Sequence, residues 1–367
     1  MPATHRPGGL LSRLPWFTAV LAGALVFLFW RELVMATDFS AQFAPGHFSL
    51  LAMGASDRAQ VLGQGEWWRL FTASALHGSV PHLAGNLVVL VVAGCLLEPV
   101  IGIGWFAAIY FTGALAGSVL SMLVNPADVL GVGASGAVMA LLAALFTLSF
   151  HAGVARPGLM RRIAGGLLFP ALLPSVSGGA MTDIQAHLGG AMAGTLLAFL
   201  LLLIWNEEEA MPPGRSLAAL LAAGFLGVTL WAFLTAWPAF AGYARPGQDY
   251  IPPDRMLRTE AAMARDSLAL VEAYPRDPRA HLFRGLAMLQ KNDLANAEPH
   301  LRAAIQLAQR APGVMTPMFL NWTKALLALD LAVRGRAREA QSLATPLCAK
   351  EDERTHRVLV MARLCQG

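Results

Sequence analysis

The sequence predicts an all-α protein: a polytopic membrane helix bundle followed by a soluble α-helical region. Three observations predict it. The 367 residues are 56% hydrophobic and only 14% charged, with a mean hydropathy of +0.53, which is too apolar for a soluble domain. Apolar runs near the 20 or so residues that cross a bilayer all fall between residues 15 and 241. Residues 242–367 are charged and contain no such run. The expected division is therefore a tail over 1–14, a membrane domain over 15–241 and a soluble domain over 242–367.

Seven spans are predicted, at 15–35, 82–100, 104–124, 133–151, 159–177, 183–205 and 217–240. The first begins after Arg6 and Arg13 like a signal peptide but continues to about residue 30 without a small-residue cleavage site, so it reads as an uncleaved span. The long segment 36–81 carries Trp67, Trp68 and Arg69, aromatics beside a cation that suit the membrane interface. The fifth span is interrupted by Pro170, Pro174 and several glycines. Arg6, Arg13, Arg156, Arg161 and Arg162 fall on one side, and the loops after spans three and five hold no Arg or Lys. The positive-inside rule then places the N-terminus in the cytoplasm. Seven spans put residues 242–367 outside, which is the periplasm if the membrane is a cell inner membrane.

The formal net charge of +4 comes from scattered basic residues that form no stripe, which argues against nucleic acid as a partner. Cys95, Cys348 and Cys365 show no metal or redox spacing, and neither a metal nor a cofactor is expected.

Polar side chains inside spans are expensive and mark functional candidates. The fourth span opens on Gly133-Ala134-Ser135-Gly136, the sixth contains His187, and the second is entered through His77, His82 and Asn86. His82 and Asn86 share a helix face at i and i+4. His187, Gly190, Ala191 and Gly194 share another, and Gly136 and Ala140 form a second small-residue seam just after Ser135. If the two seams meet, Ser135 and His187 come within hydrogen-bonding reach, as a serine nucleophile and its base require. The Ser135 N–H at a helix start, with the His82 and Asn86 side chains, would supply donors for an oxyanion. Each of these residues taken singly also has an ordinary reading, as a polar bridge between spans.

Three motifs in this order resemble the rhomboid family of intramembrane serine proteases, over roughly residues 60–200. Trp68-Arg69 is similar to its interfacial loop signature, and His77, His82 and Asn86 to its H-x4-H-x3-N element. GASG at 133–136 resembles its GxSG motif and AHLGGAMAG at 186–194 its AHxxGxxxG. The resemblance, to the bacterial six-plus-one-span type, implies a Ser135–His187 dyad without a carboxylate, an oxyanion site of Ser135 N–H, His82 and Asn86, and packing roles for Trp68, Arg69, Gly133, Gly136, Gly190 and Gly194. It also implies single-span membrane proteins as substrates, cut near the outer face, with membrane lipid as the surrounding partner. The fifth span resembles the family's mobile gate; an ordinary kinked helix is the other reading. Met139 departs from the pattern, since many members carry there a tyrosine packed on the catalytic imidazole. Asp183, one turn before His187, reads as a helix-start carboxylate outside the dyad. The alternative function is a catalytically inactive relative that binds membrane clients; a transporter ranks below both, since no pair of broken helices marks an ion site.

In the tail, residues 278–305 and a poorer copy at 318–347 are similar to tetratricopeptide helix pairs, with Gly285, Ala297, Leu301, Ala304, Gly335 and Ala340 at the small-residue positions. A further helix is expected over 254–274. Such a domain would bind a peptide or protein partner, or simply form a helical cap without ligand. His281 and His300 carry no ligand pattern. In an oxidising compartment Cys348 and Cys365, on two expected helices, would pair.

Overall fold

The computed structural model describes residues 15–125, 129–173, 183–244, 249–310, 314–315, 317–348 and 353–365. The tail over 1–14, with Arg6 and Arg13, lies outside the described residues, as does the fifth expected span beyond residue 173. The chain forms two compact units, residues up to 36 with 50–242, and residues 37–49 with those from 243 on.

In the first unit, α1 (Trp16–Met35) is followed by the short helices α2 (His47–Met53) and α3 (Arg69–Thr72). Then come α4 (Val80–Val124), α5 (Ser135–Leu148), α6 (Pro157–Leu172), α7 (Ile184–Ile204) and α8 (Arg215–Ala244). By length and composition α1, α4, α7 and α8 can each cross a membrane. The bundle is the polytopic helical membrane fold that the sequence predicts. Expected spans two and three are one run of 45 residues, broken at Gly102, where φ is +77° and the helix cannot continue.

The 14 residues of α5 fall short of a full span, about 21 Å of rise. The reason is its place. Every residue from Gly136 to Leu145 is buried, packed between α4 and α7, so α5 presents almost no face to lipid. The outward faces of α1, α7 and α8 instead expose Phe27, Trp30, Leu196, Phe199, Leu220 and Leu234.

The start of α1 is held by a carboxylate from α4. The first N–H groups of a helix have no internal acceptor and carry partial positive charge. Buried Glu98 accepts from the N–H groups of Phe17 and Thr18 at 3.0 and 2.8 Å and from Thr18 Oγ1 at 2.6 Å.

The second unit joins residues 37–49 to the C-terminal region, a grouping that departs from the expected assignment of all of 36–81 to the membrane side. Two strands, β1 (Phe39–Ala41) and β2 (Ala44–Pro45), pair antiparallel. Asp38 closes this loop by accepting from Ser49 N–H and Oγ at 2.7 and 2.5 Å. Phe48 stacks on Tyr250 with ring centroids 5.0 Å apart, which binds the loop to the tail.

The tail contains α9 (Glu260–Ala273), α10 (Pro278–Gln290), α11 (Leu294–Arg310), α12 (Pro317–Val333), α13 (Ala337–Ala344) and α14 (Glu353–Met361). Its core holds Leu282, Leu301, Ala304, Leu327, Leu331 and Ala340. A Cβ on Gly285 would lie 2.8 Å from Leu301, so the small residue lets α10 and α11 approach. Cys348 and Cys365 are disulfide-bonded with Cα atoms 5.6 Å apart, and Cys95 is free and exposed.

Candidate active site

The site is built where α4, α5 and α7 begin. A Cβ on Gly133, just ahead of α5, would meet His82 in the first turn of α4, and one on Gly136 would meet Ala186 in the first turn of α7. Polar residues near these starts therefore share one depth of the bundle.

On α4, Ser79 caps the helix by accepting the His82 N–H at 3.3 Å, and a proline stands in the first turn, where its missing donor costs nothing. His82 and Asn86 follow one turn apart. Asn86 is 7% exposed, and its Nδ2 has no hydrogen-bond acceptor among the described residues. A buried amide donor without a partner costs about 1–3 kcal/mol.

Gly133 lies opposite. A Cβ there would be 2.6 Å from His82 Nε2 and 3.7 Å from Asn86 Nδ2. Its φ of +121° also disfavours any side chain. Its N–H donates to Ala73 O at 3.0 Å, which ties the turn to the loop ahead of α4. Two residues on, Ser135 is the first residue of α5 and is half-buried.

The expected seams do meet. A methyl on Gly190 would overlap the carbonyl oxygen of Gly136, and one on Gly194 that of Ala140. Thus α7 and α5 touch backbone to backbone. The second half of α4 joins them through Gly113 and Gly117, whose absent side chains admit Ala140 and Gly136.

His187, in the first turn of α7, is 8% exposed. Its Nδ1 lies 2.8 Å from the carbonyl oxygen of Ala171 in α6. Among the described residues no hydrogen bond joins His187 to Ser135; the helices come together while these side chains do not bond.

Asp183 is the N-cap of α7. It accepts from Ala186 N–H at 2.9 Å, from Asn125 Nδ2 at 2.8 Å and from Ser121 Oγ. Its oxygens are thereby committed to the end of α4 and the start of α7, as a helix-start carboxylate. Arg69 is fully buried, donating to Glu66 at 2.6 Å and to the carbonyls of Leu51 and Ala55 at 2.6 and 3.1 Å, with Trp68 4.5 Å below its guanidinium. Both residues brace the loop ahead of α4.

The rhomboid domain model matches residues 64–204, the stretch that contains His82, Asn86, Ser135 and His187. The rhomboid relative YdcA of Bacillus subtilis is 31% identical over 140 residues, which cover 38% of this chain and 69% of YdcA. The chain belongs to the rhomboid family. Rhomboid protease GluP of Bacillus subtilis is 32% identical over 152 residues, 41% of this chain and 29% of GluP. RHOMBOID-like protein 1 of Arabidopsis thaliana is 36% identical over 166 residues, 43% of this chain and 41% of that protein. The chain thus spans less than half the length of these two relatives.

Some parts of this rhomboid site escaped the sequence reading. Gly113 and Gly117 are a small-xxx-small pair that spacing alone could have flagged. Glu32 is 2% exposed in α1 and accepts the His77 N–H at 3.0 Å, a contact 45 residues apart with no local signal. Both ring nitrogens of His77 are buried without hydrogen-bond partners among the described residues, and its ring meets His82 edge-on at 5.2 Å. The Ala171 carbonyl belongs to the backbone, so no residue pattern announces it.

Proposed function

We propose that this chain is an intramembrane serine endopeptidase working through a Ser135–His187 dyad. The observation that carries the reading is the α5–α7 backbone contact at Gly136 and Gly190, which stands Ser135 and His187 at neighbouring helix starts. Ser135 Oγ attacks a peptide carbonyl while its proton passes to His187 Nε2. The tetrahedral oxyanion is held by the Ser135 N–H, His82 and the unpartnered Asn86 Nδ2. The proton then moves from His187 to the leaving amine, and water releases the acyl group from Ser135 by the same relay.

Trp68, Arg69, Gly133, Gly136, Gly190 and Gly194 are packing residues in this reading. Substrates are single-span membrane proteins cut near the outer face. In this reading the soluble C-terminal domain lies on that face, as an odd number of spans with a cytoplasmic N-terminus expects. The protein is placed in a cell inner membrane with this domain in the periplasm, where it is a helical, tetratricopeptide-like module for a peptide or protein partner.

A second reading, an inactive relative that binds membrane clients, is favoured by the absence of a Ser135–His187 hydrogen bond among the described residues. A serine-directed fluorophosphonate probe separates the two. The dyad reading expects labelling of the wild-type protein and none of Ser135→Ala, alongside cleavage of a reporter single-span protein by the wild type alone.

A further inference from the structure

We infer that the main-chain carbonyl of Ala171, at the end of α6, is the positioning group for the His187 imidazole, the part a carboxylate plays in a triad. The inference rests on the dyad reading above.

The distance from His187 Nδ1 to Ala171 O is 2.8 Å. A carbonyl oxygen only accepts, so Nδ1 carries the hydrogen. A neutral imidazole carries one N–H, so Nε2 is left with its lone pair. That is the form a base needs to take the Ser135 proton.

The carbonyl is available because α6 stops there. The last four carbonyls of a helix have no intrahelical donor, and α6 ends at Leu172. The next N–H, that of Leu173, goes to Pro170 O at 3.3 Å. Neither Asp183, one turn earlier on α7, nor Met139 of α5 takes this part. Asp183 is taken up by Ala186, Asn125 and Ser121. Met139, buried at the position one turn after Ser135, offers a thioether with no ring face to stack on. The Nδ1–H to carbonyl bond also strengthens when the ring becomes cationic, so it favours the imidazolium that forms as Ser135 attacks.

The test is a backbone ester in the full-length protein in lipid, made by replacing Leu172 with its α-hydroxy analogue. The side chain is kept, and the Ala171 carbonyl becomes a weaker acceptor. An ester at Leu168 removes one α6 helix bond in the same way and serves as the control. The Leu172 ester is expected to lower kcat roughly 3- to 10-fold, the value of one weakened hydrogen bond. KM should stay within about 2-fold, and the acid limb of the kcat/KM profile should move to lower pH; the Leu168 ester should do neither. The 15N NMR signals of His187 give a readout that does not depend on activity. A neutral ring protonated at Nδ1 is expected in the wild type, and a growing Nε2–H form in the Leu172 ester. Equal kinetics for the two esters, or an Nε2–H wild-type ring, would overturn the inference. Reporter cleavage by Ser135→Ala would instead sink the dyad reading, while the NMR result still decides which nitrogen Ala171 holds.

Discussion

Gly190 of α7 faces Gly136 of α5 so closely that a methyl group on Gly190 would overlap the Gly136 carbonyl oxygen. The obstacle is backbone, which has no rotamer by which to yield. Gly190→Ala should therefore push α7 from α5 and carry His187 with it. Overpacking of this kind costs about 1–3 kcal/mol, but displacement by about 1 Å can cost 10²-fold in rate. The expected result is a folded, membrane-inserted protein whose kcat for reporter cleavage falls at least about 10-fold. Retention of wild-type kcat would mean that the seam does not set the catalytic geometry.

Ser135→Ala and His187→Ala should each abolish reporter cleavage while insertion is preserved. Because the two groups act as one unit, the double variant should be hardly worse than either single one. Multiplying defects would point to independent roles.

Asn86 Nδ2 has no acceptor in the described structure, so its removal leaves the resting protein with nothing unsatisfied. Asn86→Ala should lower kcat on the order of 10–10³-fold with little change in KM, as loss of one oxyanion donor does. Leaving Thr or Ser there should rescue little, since neither reaches as far. A defect confined to KM would place Asn86 in ordinary substrate binding.

In the C-terminal unit, Glu298 binds Arg302, Arg334 and Arg336. Partial burial pushes its carboxyl up, but the three guanidinium groups outweigh this and hold its pKa at about 2. A depressed carboxyl stabilises the fold above its unfolded value, about 4.3, and loses that contribution as pH falls through the folded value of about 2. Hydrogen exchange over α11–α13, corrected for intrinsic rates, should be faster in Glu298→Gln at pH 7, and the difference should shrink between about pH 4 and 2. A pH-independent difference would assign the effect to packing.

The Cys348–Cys365 pair, with Cα atoms 5.6 Å apart, predicts one free thiol, Cys95, on unreduced and denatured protein from membranes. Three free thiols would argue for a reducing compartment and against a periplasmic C-terminal unit.

The sequence by itself determined the helical membrane class, because hydrophobic run length is a local property that the bilayer thickness reads directly. It also determined the candidate residues Ser135, His187, His82 and Asn86, since i and i+4 spacing fixes which side chains share a helix face. Even the meeting of Gly136 with Gly190 was foreseeable as a pairing of small-residue stripes. Tertiary structure alone decided which contacts close across the chain. The His187 ring bonds a backbone carbonyl 16 residues away, and Glu32 reaches His77 over 45. Residues 37–49 leave the membrane unit for the tail. Each of these depends on where a helix happens to end in space, and a backbone carbonyl freed by such an ending has no letter in the sequence.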